Sequence, residues 1–218
     1  MVLKFYASPF PVAGGGIVAL ALAEKQAAFD FVPIDLKTKE QKTAEYMALN
    51  PFGKVPAIND DGFVMYESRA ICRYVDEKFA GQGTTLVPKG TKERALVEQA
   101  VSVESMTLFP PLDKVVWEVV VKPERGLAPD QAIVGKGLKE ISDTLDVYEG
   151  ILGKHRYLAG DDFTLADLVH CGYLPFLVEK GVDIMTAKER PNVARWWNEL
   201  MSRPTWVKLQ AEGMKSTV

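Results

Sequence analysis

Hydrophobic and polar positions are spaced differently in the two parts of the chain. Up to residue 80, short segments with strand-like spacing are separated by helical ones. The pattern predicts strands at 2–7 and 29–34, helices at 17–25 and 68–79, and a hairpin joining 55–58 to 63–66, with a polar segment at 37–50 before it. The turn of this hairpin ends in Asp61-Gly62, a pair that tolerates left-handed backbone. The resulting β-α-β-α-β-β-α order is typical of a small α/β domain.

Helical spacing dominates beyond residue 91. One apolar stripe repeats at intervals of 4, 3, 4, 3 and 4 and predicts an amphipathic helix through Val134, Leu138, Ile141, Leu145, Tyr148 and Leu152. Thr164 followed by Asp167 has the spacing of a capping box. Phe163 and Leu168 occupy the positions of the accompanying hydrophobic staple. The second part of the chain is therefore predicted to be all-helical.

The change of spacing predicts two domains. An α/β domain is expected at 1–81, a glycine-containing linker at 82–91 and an all-α helical domain at 92–218. The 218 residues are 47% apolar and 25% charged, which is ordinary globular usage. This composition excludes a disordered, a collagen-like or a disulfide-stapled chain.

Charge and cysteine usage narrow the class of protein further. The 26 Lys and Arg residues against 29 Asp and Glu residues form no basic run, which argues against a nucleic-acid partner. The longest apolar run, Ile17–Ala23, is too short to span a membrane, and the first residues lack the layout of a signal peptide. Cys72 and Cys171 are expected to be free buried thiols, and two histidines far apart make no metal site. A cytoplasmic protein without a bound metal is expected.

A dinucleotide-binding fingerprint is one alternative interpretation. Gly14, Gly16 and Ala19 have the spacing of G-x-G-x-x-A, and Asp35 follows at the distance of the ribose-binding acid. Two prolines in 8–13 separate the first glycine from its strand, however, and the second part of the chain shows no further β-α-β alternation. Both departures weigh against NAD binding.

Three features of the first domain favour a peptide ligand with charged ends. Lys54-Val55-Pro56 predicts an edge or a cis-proline turn, which would leave the backbone of Val55 free to pair with an extended peptide. Ser68 is a natural N-cap for the next helix, whose free amides bind a carboxylate, and Glu67 beside it suits an ammonium. Gln41-Lys42 could clamp a second carboxylate.

Each feature also has a simpler structural interpretation. A Val-Pro pair can be only a tight turn, and Glu-Ser at a helix start is often a simple cap. Lys42 in a polar segment is commonly a solvated charge. Only the conjunction of the three features, in this order along the chain, favours a binding site.

Several motifs together identify a family resemblance. They are Asn50-Pro51-Phe52-Gly53-Lys54-Val55-Pro56, Tyr66-Glu67-Ser68-Arg69-Ala70-Ile71, Phe163-Thr164-Leu165-Ala166-Asp167 and Pro191-Asn192-Val193-Ala194-Arg195-Trp196-Trp197. With these motifs the chain, from residue 2 to about 207, resembles the glutathione transferases, and within them the phi class of plants and fungi. The resemblance implies a thioredoxin-like N-terminal domain, a helical C-terminal domain, a homodimer, and glutathione as the bound tripeptide.

The resemblance also implies roles for individual positions. In the family, the positions of Glu67 and Ser68 hold the γ-glutamyl group, and the position of Val55, before Pro56, pairs with the cysteinyl backbone. Gln41, Lys42 and Lys54 match positions that line the glycyl end. Phe52 matches a position that packs against the partner subunit. The expected activity is conjugation of glutathione to small apolar or aromatic electrophiles in detoxification.

The chain departs from the phi class at the residue that assists the thiol. Enzymes of this class use a serine near the start of the first helix, and alignment places Pro11 or Val12 there. Neither side chain has a hydroxyl. The nearest hydroxyls along the chain are those of Tyr6 and Ser8, and Ser8 would be a weak catalytic substitute unless the loop folds back.

The glycines at the helix start leave two functional hypotheses open. Bare amides of Gly14–Gly16 could stabilise an anion directly, which would preserve an enzyme. Alternatively the chain has lost its activating group and is a non-catalytic ligandin that binds glutathione and aromatic compounds.

A second pocket for the acceptor is expected beside the loop at 8–13. Phe10 and Pro11 on this loop, with Met106 and Phe109 on the first helix of the second domain, are the candidate walls. The same residues could equally be plain core. Pro110-Pro111 is expected to bend or end that helix.

Overall fold

The computed structural model describes residues 2–218, which form two compact units. The first comprises the chain up to Val87 together with Arg203–Val218, and the second comprises Pro88–Ser202. The first contains a mixed sheet with helices and the second is helical, so the predicted fold class is confirmed.

A four-stranded sheet organises the first unit. Its strands are β1 (Leu3–Ala7), β2 (Phe29–Pro33), β3 (Ala57–Asp60) and β4 (Phe63–Tyr66). Their order is β2-β1-β3-β4, with β1 and β2 parallel and the other neighbours antiparallel. Asp61 and Gly62 have φ angles of 53° and 92°, as the predicted Asp-Gly turn between β3 and β4 requires.

The first helix begins earlier than its apolar run predicts. Helix α1 spans Ala13–Glu24, so the three glycines lie inside it rather than before it. Close packing explains this: a Cβ on Gly16 would lie 2.6 Å from the carbonyl of Pro11, and one on Gly15 would lie 3.1 Å from Ala7 Cβ. Here the need for close approach outweighs the low helix propensity of glycine.

The polar segment and the helix after the hairpin complete the predicted order. A 3₁₀ turn at Glu40–Lys42 precedes the short helix α2 (Ala44–Met47), and α3 spans Ser68–Lys78. Thr43 caps α2 by accepting a 3.2 Å hydrogen bond from the N–H of Tyr46.

The end of the chain packs on the first unit. Helix α11 (Pro204–Glu212) is followed by a tail along β2, where the N–H of Thr217 donates to the Phe29 carbonyl at 3.0 Å and the N–H of Phe29 donates to Thr217 Oγ1 at 2.9 Å. The predicted domain boundary placed this segment with the helical domain. The structure places it with the first unit instead. The contacts that attach it to β2 join residues almost the whole chain apart, which no local sequence pattern shows.

The second unit is built from helices. They are α4 (Thr91–Val103), α5 (Phe109–Val116), α6 (Lys122–Glu124), α7 (Gln131–Leu152), α8 (Leu165–Leu168), α9 (Leu174–Glu179) and α10 (Pro191–Met201), with a 3₁₀ turn at Val169–Cys171. Two π-helical segments, Glu104–Leu108 and Trp117–Val121, connect α4, α5 and α6 without a break. The prolines at 110 and 111 therefore do not end the helix. They occupy the first turn after a π-helical segment, where the wider backbone accommodates them.

Local signals in the second unit are confirmed. The α7 stripe is buried except for the half-buried Leu138. Thr164 and Asp167 form the predicted capping box at the start of α8.

Cys72 and Cys171 are free and buried. No helix within residues 2–218 has the length and apolar character needed to cross a bilayer.

Candidate functional site

Two side-chain hydrogen bonds fix the turn before β3. The carbonyl of Lys54 accepts hydrogen bonds from the Tyr46 hydroxyl at 2.9 Å and from Asn50 Nδ2 at 2.6 Å. The Val55-Pro56 peptide is cis, one of the two predicted arrangements. Within residues 2–218, no hydrogen bond uses the N–H or the carbonyl of Val55. A fixed turn with a free backbone donor and acceptor is suited to pairing with a peptide.

The start of α3 has a strained residue beside a buried hydroxyl. Glu67 is the N-cap, with φ of 71° and ψ of 109°, an arrangement that costs a non-glycine residue about 1–3 kcal/mol. The prediction of Ser68 as N-cap is therefore wrong: Ser68 is the first helical residue, because the unusual backbone of Glu67 moves the helix start by one. Ser68 is only 6% exposed, and the Glu67 side chain is exposed. Strain of this kind is typical of ligand clamps.

Helix α1 connects the turn to the start of α3. A Cβ on Gly14 would lie 3.0 Å from Pro56 Cδ and 3.4 Å from Ser68 Oγ. The structure therefore brings two of the three predicted features to the N-terminal end of α1. Gly14 was not predicted to make this contact, although the run of three glycines was the available signal.

The third predicted feature, Gln41-Lys42, lies beside the loop that leads into the Val55-Pro56 turn. Lys42 Nζ donates to the Phe52 carbonyl at 3.1 Å, and a Cβ on Gly53 would lie 2.9 Å from that nitrogen. Gly53 has a φ of 56°, which glycine adopts without strain. The Oε1 atom of Gln41 is buried and accepts no hydrogen bond from the described residues. A cation and an unsatisfied amide thus lie next to the residues that lead into the turn.

The N-cap of α1 carries no hydroxyl. Val12 has extended backbone and makes no side-chain hydrogen bond to the helix. Tyr6 is not an alternative at this place, because Ala7 faces Gly15 of α1 whereas Tyr6 packs with Tyr46 on the other face of β1. Burial, with the nearby carboxylates Asp30 and Glu45, also raises the pKa of Tyr6. Ser8 follows β1 directly and is half-buried.

The predicted acceptor walls lie in both units. In the first unit the Phe10 side chain is 63% exposed and Pro11 is half-buried. In the second unit Met106 is 78% exposed, and the Phe109 ring packs edge-to-face on Tyr173 with centroids 4.9 Å apart. Their joint role in one pocket stays a prediction. Within residues 2–218, no three His, Cys, Asp or Glu side chains are grouped as metal ligands would be.

Comparison with known proteins shows one consistent family. The chain matches the model of the glutathione S-transferase N-terminal domain over residues 1–77 and that of the C-terminal domain over 108–204. It is 38% identical over 212 residues to glutathione S-transferase F10 of Arabidopsis thaliana, which covers 97% of this chain and 98% of the relative. It is 42% identical over 195 residues to glutathione S-transferase 3 of Zea mays, covering 89% and 87%.

Solved structures agree. Glutathione transferase F7 from Populus trichocarpa superposes with a TM-score of 0.91 at 38% identity, covering 96% of this chain and 98% of that one. Glutathione S-transferase I from maize, in complex with an atrazine glutathione conjugate, superposes with a TM-score of 0.84 at 32% identity and covers 97% of each chain.

Proposed function

Because the chain belongs to the glutathione S-transferase family, we propose that it binds glutathione in its first unit and joins the glutathione sulfur to small apolar or aromatic electrophiles. The observation that carries this proposal is the meeting of three segments at the start of α1. Gly14 lies next to Pro56, which follows the free backbone of Val55, and next to Ser68, which follows the strained Glu67. Conjugation of this kind serves detoxification, here in the cytoplasm.

The residues suit the three parts of the tripeptide. The γ-glutamyl end has an α-carboxylate for the Ser68 hydroxyl and the first amides of α3, and an ammonium for Glu67. The cysteinyl backbone would pair with the N–H and carbonyl of Val55 beside Pro56. The glycyl carboxylate would be held by the lysines at 42 and 54 with Gln41. No metal is required for this binding.

The reaction itself needs the thiol as thiolate. A free thiol has a pKa of about 8.5 and is mostly protonated at neutral pH. The sulfur would attack the electrophilic carbon, the leaving group would depart with its electron pair, and a thioether would form. Ser8 is the hydroxyl in the loop before α1, and Phe10 and Pro11 of the same loop are proposed to contact the acceptor.

One observation favours a second candidate function. Val12 at the N-cap of α1 has no hydroxyl to activate a thiol. A ligandin that binds glutathione and aromatic compounds without turnover would have the same residues. Calorimetry with glutathione, combined with a turnover assay on an activated aryl halide, separates the two. Binding with turnover supports the transferase, binding without turnover supports the ligandin, and absence of binding contradicts both.

Replacing Glu67 by glycine is expected to weaken glutathione binding without lowering the stability of the fold. Loss of a charged hydrogen-bond partner removes about 1.5–3 kcal/mol, which weakens glutathione binding about 10- to 100-fold. Glycine tolerates the φ of 71°, so the free energy of unfolding should stay unchanged or rise by up to about 1 kcal/mol. Calorimetry and denaturant titration measure the two quantities.

Asp61→Gly is the matched control for this variant. Asp61 is also an exposed acidic residue with positive φ, 53°, but it lies in the hairpin turn between β3 and β4. It should show the same effect on stability and no change in affinity. Equal affinity of the Glu67→Gly variant and the unmodified chain would contradict the clamp.

Replacing Phe52 by serine is expected to dissociate a homodimer. Phe52 is 63% exposed although its ring packs edge-to-face on Tyr66 at 5.8 Å, so an aromatic anchor is presented to a partner. Light scattering coupled to size exclusion should show a dimer for the unmodified chain and a monomer for the variant. Leu127→Ser, at a residue 55% exposed in the second unit, should remain dimeric. A monomeric unmodified chain would refute the dimer.

A further inference from the structure

The loop between β1 and α1, residues 8–12, has few hydrogen bonds of its own. Two of its residues are prolines, which have no N–H group to donate. Inside the loop the Val12 N–H donates to the Phe10 carbonyl at 2.8 Å, which forms a γ-turn centred on Pro11. Among the residues that the structure describes, a single hydrogen bond joins this loop to a segment beyond α1. In it, Gln210 Nε2 of α11 donates to the Pro11 carbonyl at 3.3 Å.

The Pro11 carbonyl is also the point at which the loop meets α1. A Cβ on Gly16 would lie 2.6 Å from this carbonyl oxygen, so only a glycine allows the loop so close to the helix. The carbonyl therefore contacts both Gly16 and Gln210, and the amide of Gln210 fixes the direction in which it points. The side chain of Phe10, directly before it, is 63% exposed. Because the γ-turn links Phe10 to Val12 across Pro11, the bond from Gln210 also sets where the Phe10 ring is presented.

Helix α11 can serve as an anchor because its start is fixed on the end of α1. Glu24, only 3% exposed, accepts hydrogen bonds from Arg203 Nε at 2.9 Å and from Arg203 Nη2 at 2.8 Å. The Thr205 hydroxyl donates to the same carboxylate. A two-pronged contact between a guanidinium and a carboxylate is strong and directional. It therefore sets the position of α11 along α1.

The end of α11 is fixed as well. Met214, which follows the helix, is 8% exposed, and its Cε atom lies 3.9 Å from the Cβ position of Gly15. The tail beyond it is bonded to Phe29 of β2 through Thr217. Gln210 lies between the two anchors, in the last turn of α11. The helix therefore presents Gln210 to the loop from a fixed position.

Gln210 itself contributes little to the packing of the first unit. The residue is exposed and, in the described part of the chain, its side chain makes no hydrogen bond apart from the one to Pro11. None of the residues proposed to hold glutathione is bonded to it. Removing its amide should therefore change the loop and leave the fold and the glutathione contacts in place.

We propose that Gln210 is a positioning residue for the acceptor: its hydrogen bond to Pro11 holds the loop so that Phe10 and Pro11 contact the apolar group on the glutathione sulfur. This rests on the proposed binding of glutathione and adds to that site a residue of α11. Phe10 supplies an aromatic surface that an apolar or aromatic group covers on binding. Gln210 acts through the main chain of Pro11 and does not itself touch the ligand.

S-benzylglutathione compared with glutathione measures the contact with the acceptor, because the two compounds differ only in the apolar group on sulfur. Calorimetry on the full chain should show S-benzylglutathione binding about 10-fold tighter, as expected for partial burial of a phenyl ring. In Gln210→Ala this ratio should fall by about 2- to 10-fold, because a loop that is no longer fixed must be ordered on binding. The affinity for glutathione and the melting temperature should stay unchanged. An unchanged ratio would overturn the proposal.

Matched variants separate the hydrogen bond from other effects of the substitution. Gln210→Glu keeps the length of the side chain but has no N–H group, so it should lose the preference for S-benzylglutathione as Gln210→Ala does. Gln210→Arg retains N–H donors and should keep most of the preference. Gln82→Ala, at another exposed glutamine of the first unit, should behave as the unmodified chain. Equal ratios for Gln210→Glu and the unmodified chain would show that the bond to Pro11 has no role.

Hydrogen exchange at Val12 tests the loop itself, without a ligand. The Val12 N–H closes the γ-turn, so it should exchange with solvent faster in Gln210→Ala than in the unmodified chain. Unchanged exchange together with a lost preference for S-benzylglutathione would show that Gln210 contacts the ligand directly, which contradicts a positioning role.

Failure of this proposal and failure of the proposed function give different results. If glutathione binds but S-benzylglutathione binds no tighter to the unmodified chain, the loop does not contact the acceptor. The role of Gln210 is then refuted while glutathione binding stands. Absence of binding of both compounds would refute the proposed function itself, and this proposal with it.

Discussion

Replacing Asp167 by alanine is expected to lower the free energy of unfolding by about 4 kcal/mol, because it leaves several buried donors without an acceptor. The carboxylate, fully buried, accepts from the Leu158 N–H at 3.0 Å, the Thr164 N–H at 3.0 Å and Trp196 Nε1 at 2.9 Å. It thus joins the cap of α8 to the loop before it and to α10. Denaturant titration followed by circular dichroism measures the loss.

The same residue predicts a pH dependence. Burial raises the pKa of Asp167 to about 6, although the hydrogen bonds it accepts act in the opposite direction. In the unfolded chain this pKa is about 3.9. Between these values the folded chain holds a proton that the unfolded chain has lost, so the contribution of Asp167 to stability falls as pH rises, by up to about 1.4 kcal/mol per pH unit.

Asp167→Asn separates the charge from the contacts. The variant cannot titrate at this position. Its unfolding free energy should therefore fall further below that of the unmodified chain near pH 4 than near pH 7. A deficit that is constant over this range would show that the carboxyl group has no raised pKa. A loss below about 1 kcal/mol for Asp167→Ala would contradict the account of buried donors.

Features encoded by a few neighbouring residues were predictable from the sequence. The Asp61-Gly62 turn, the Thr164–Asp167 capping box and the cis-proline turn at Val55 depend on residue types within a few positions of each other. The α7 stripe is equally local, since each turn of the helix buries the next apolar residue. These elements were sufficient for the fold class and for the candidate binding segments.

Features that depend on distant contacts were not predictable. The start of α1 at Ala13 rests on glycines that fit against Pro11 and Ala7, and propensity alone places the start later. The helical run through Pro110-Pro111 continues because a π-helical segment precedes it. The strained backbone of Glu67, which displaces Ser68 from the cap, has no signature in residue type, since positive φ is unfavourable for glutamate.

The candidate site illustrates the same division. The segments proposed to contact the ligand could be named from the sequence, because turns and caps are local. It could not show that Gly14 brings two of them together, because the contact of α1 with Pro56 and Ser68 spans more than forty residues. The absence of a hydroxyl at Val12 was visible in the sequence, but its place as the N-cap of α1 is a property of the folded backbone.

The buried pair of Lys25 and Asp76 is predicted to be the other large determinant of stability. Lys25 Nζ lies 2.9 Å from Asp76 Oδ1, and the side chains are only 2% and 9% exposed. Asp76 also accepts from the N–H groups of Leu86 and Val87 at 2.9 and 3.0 Å. It therefore fixes the segment after α3 to the end of α1, the helix whose other end contacts Pro56 and Ser68.

Asp76→Ala is expected to cost about 3–5 kcal/mol of unfolding free energy, because the Lys25 ammonium would remain buried without its partner. Asp143→Ala is the matched control, since Lys139 and Asp143 form a pair of similar length, 2.7 Å, with side chains 75% and 60% exposed. Its cost should be far smaller, as solvent screens an exposed pair. In Asp76→Ala the Leu86 and Val87 amides should also exchange with solvent faster. Equal losses in the two variants would show that burial does not set the strength of the Lys25–Asp76 pair, and slow exchange at Leu86 and Val87 would show that Asp76 does not hold this segment.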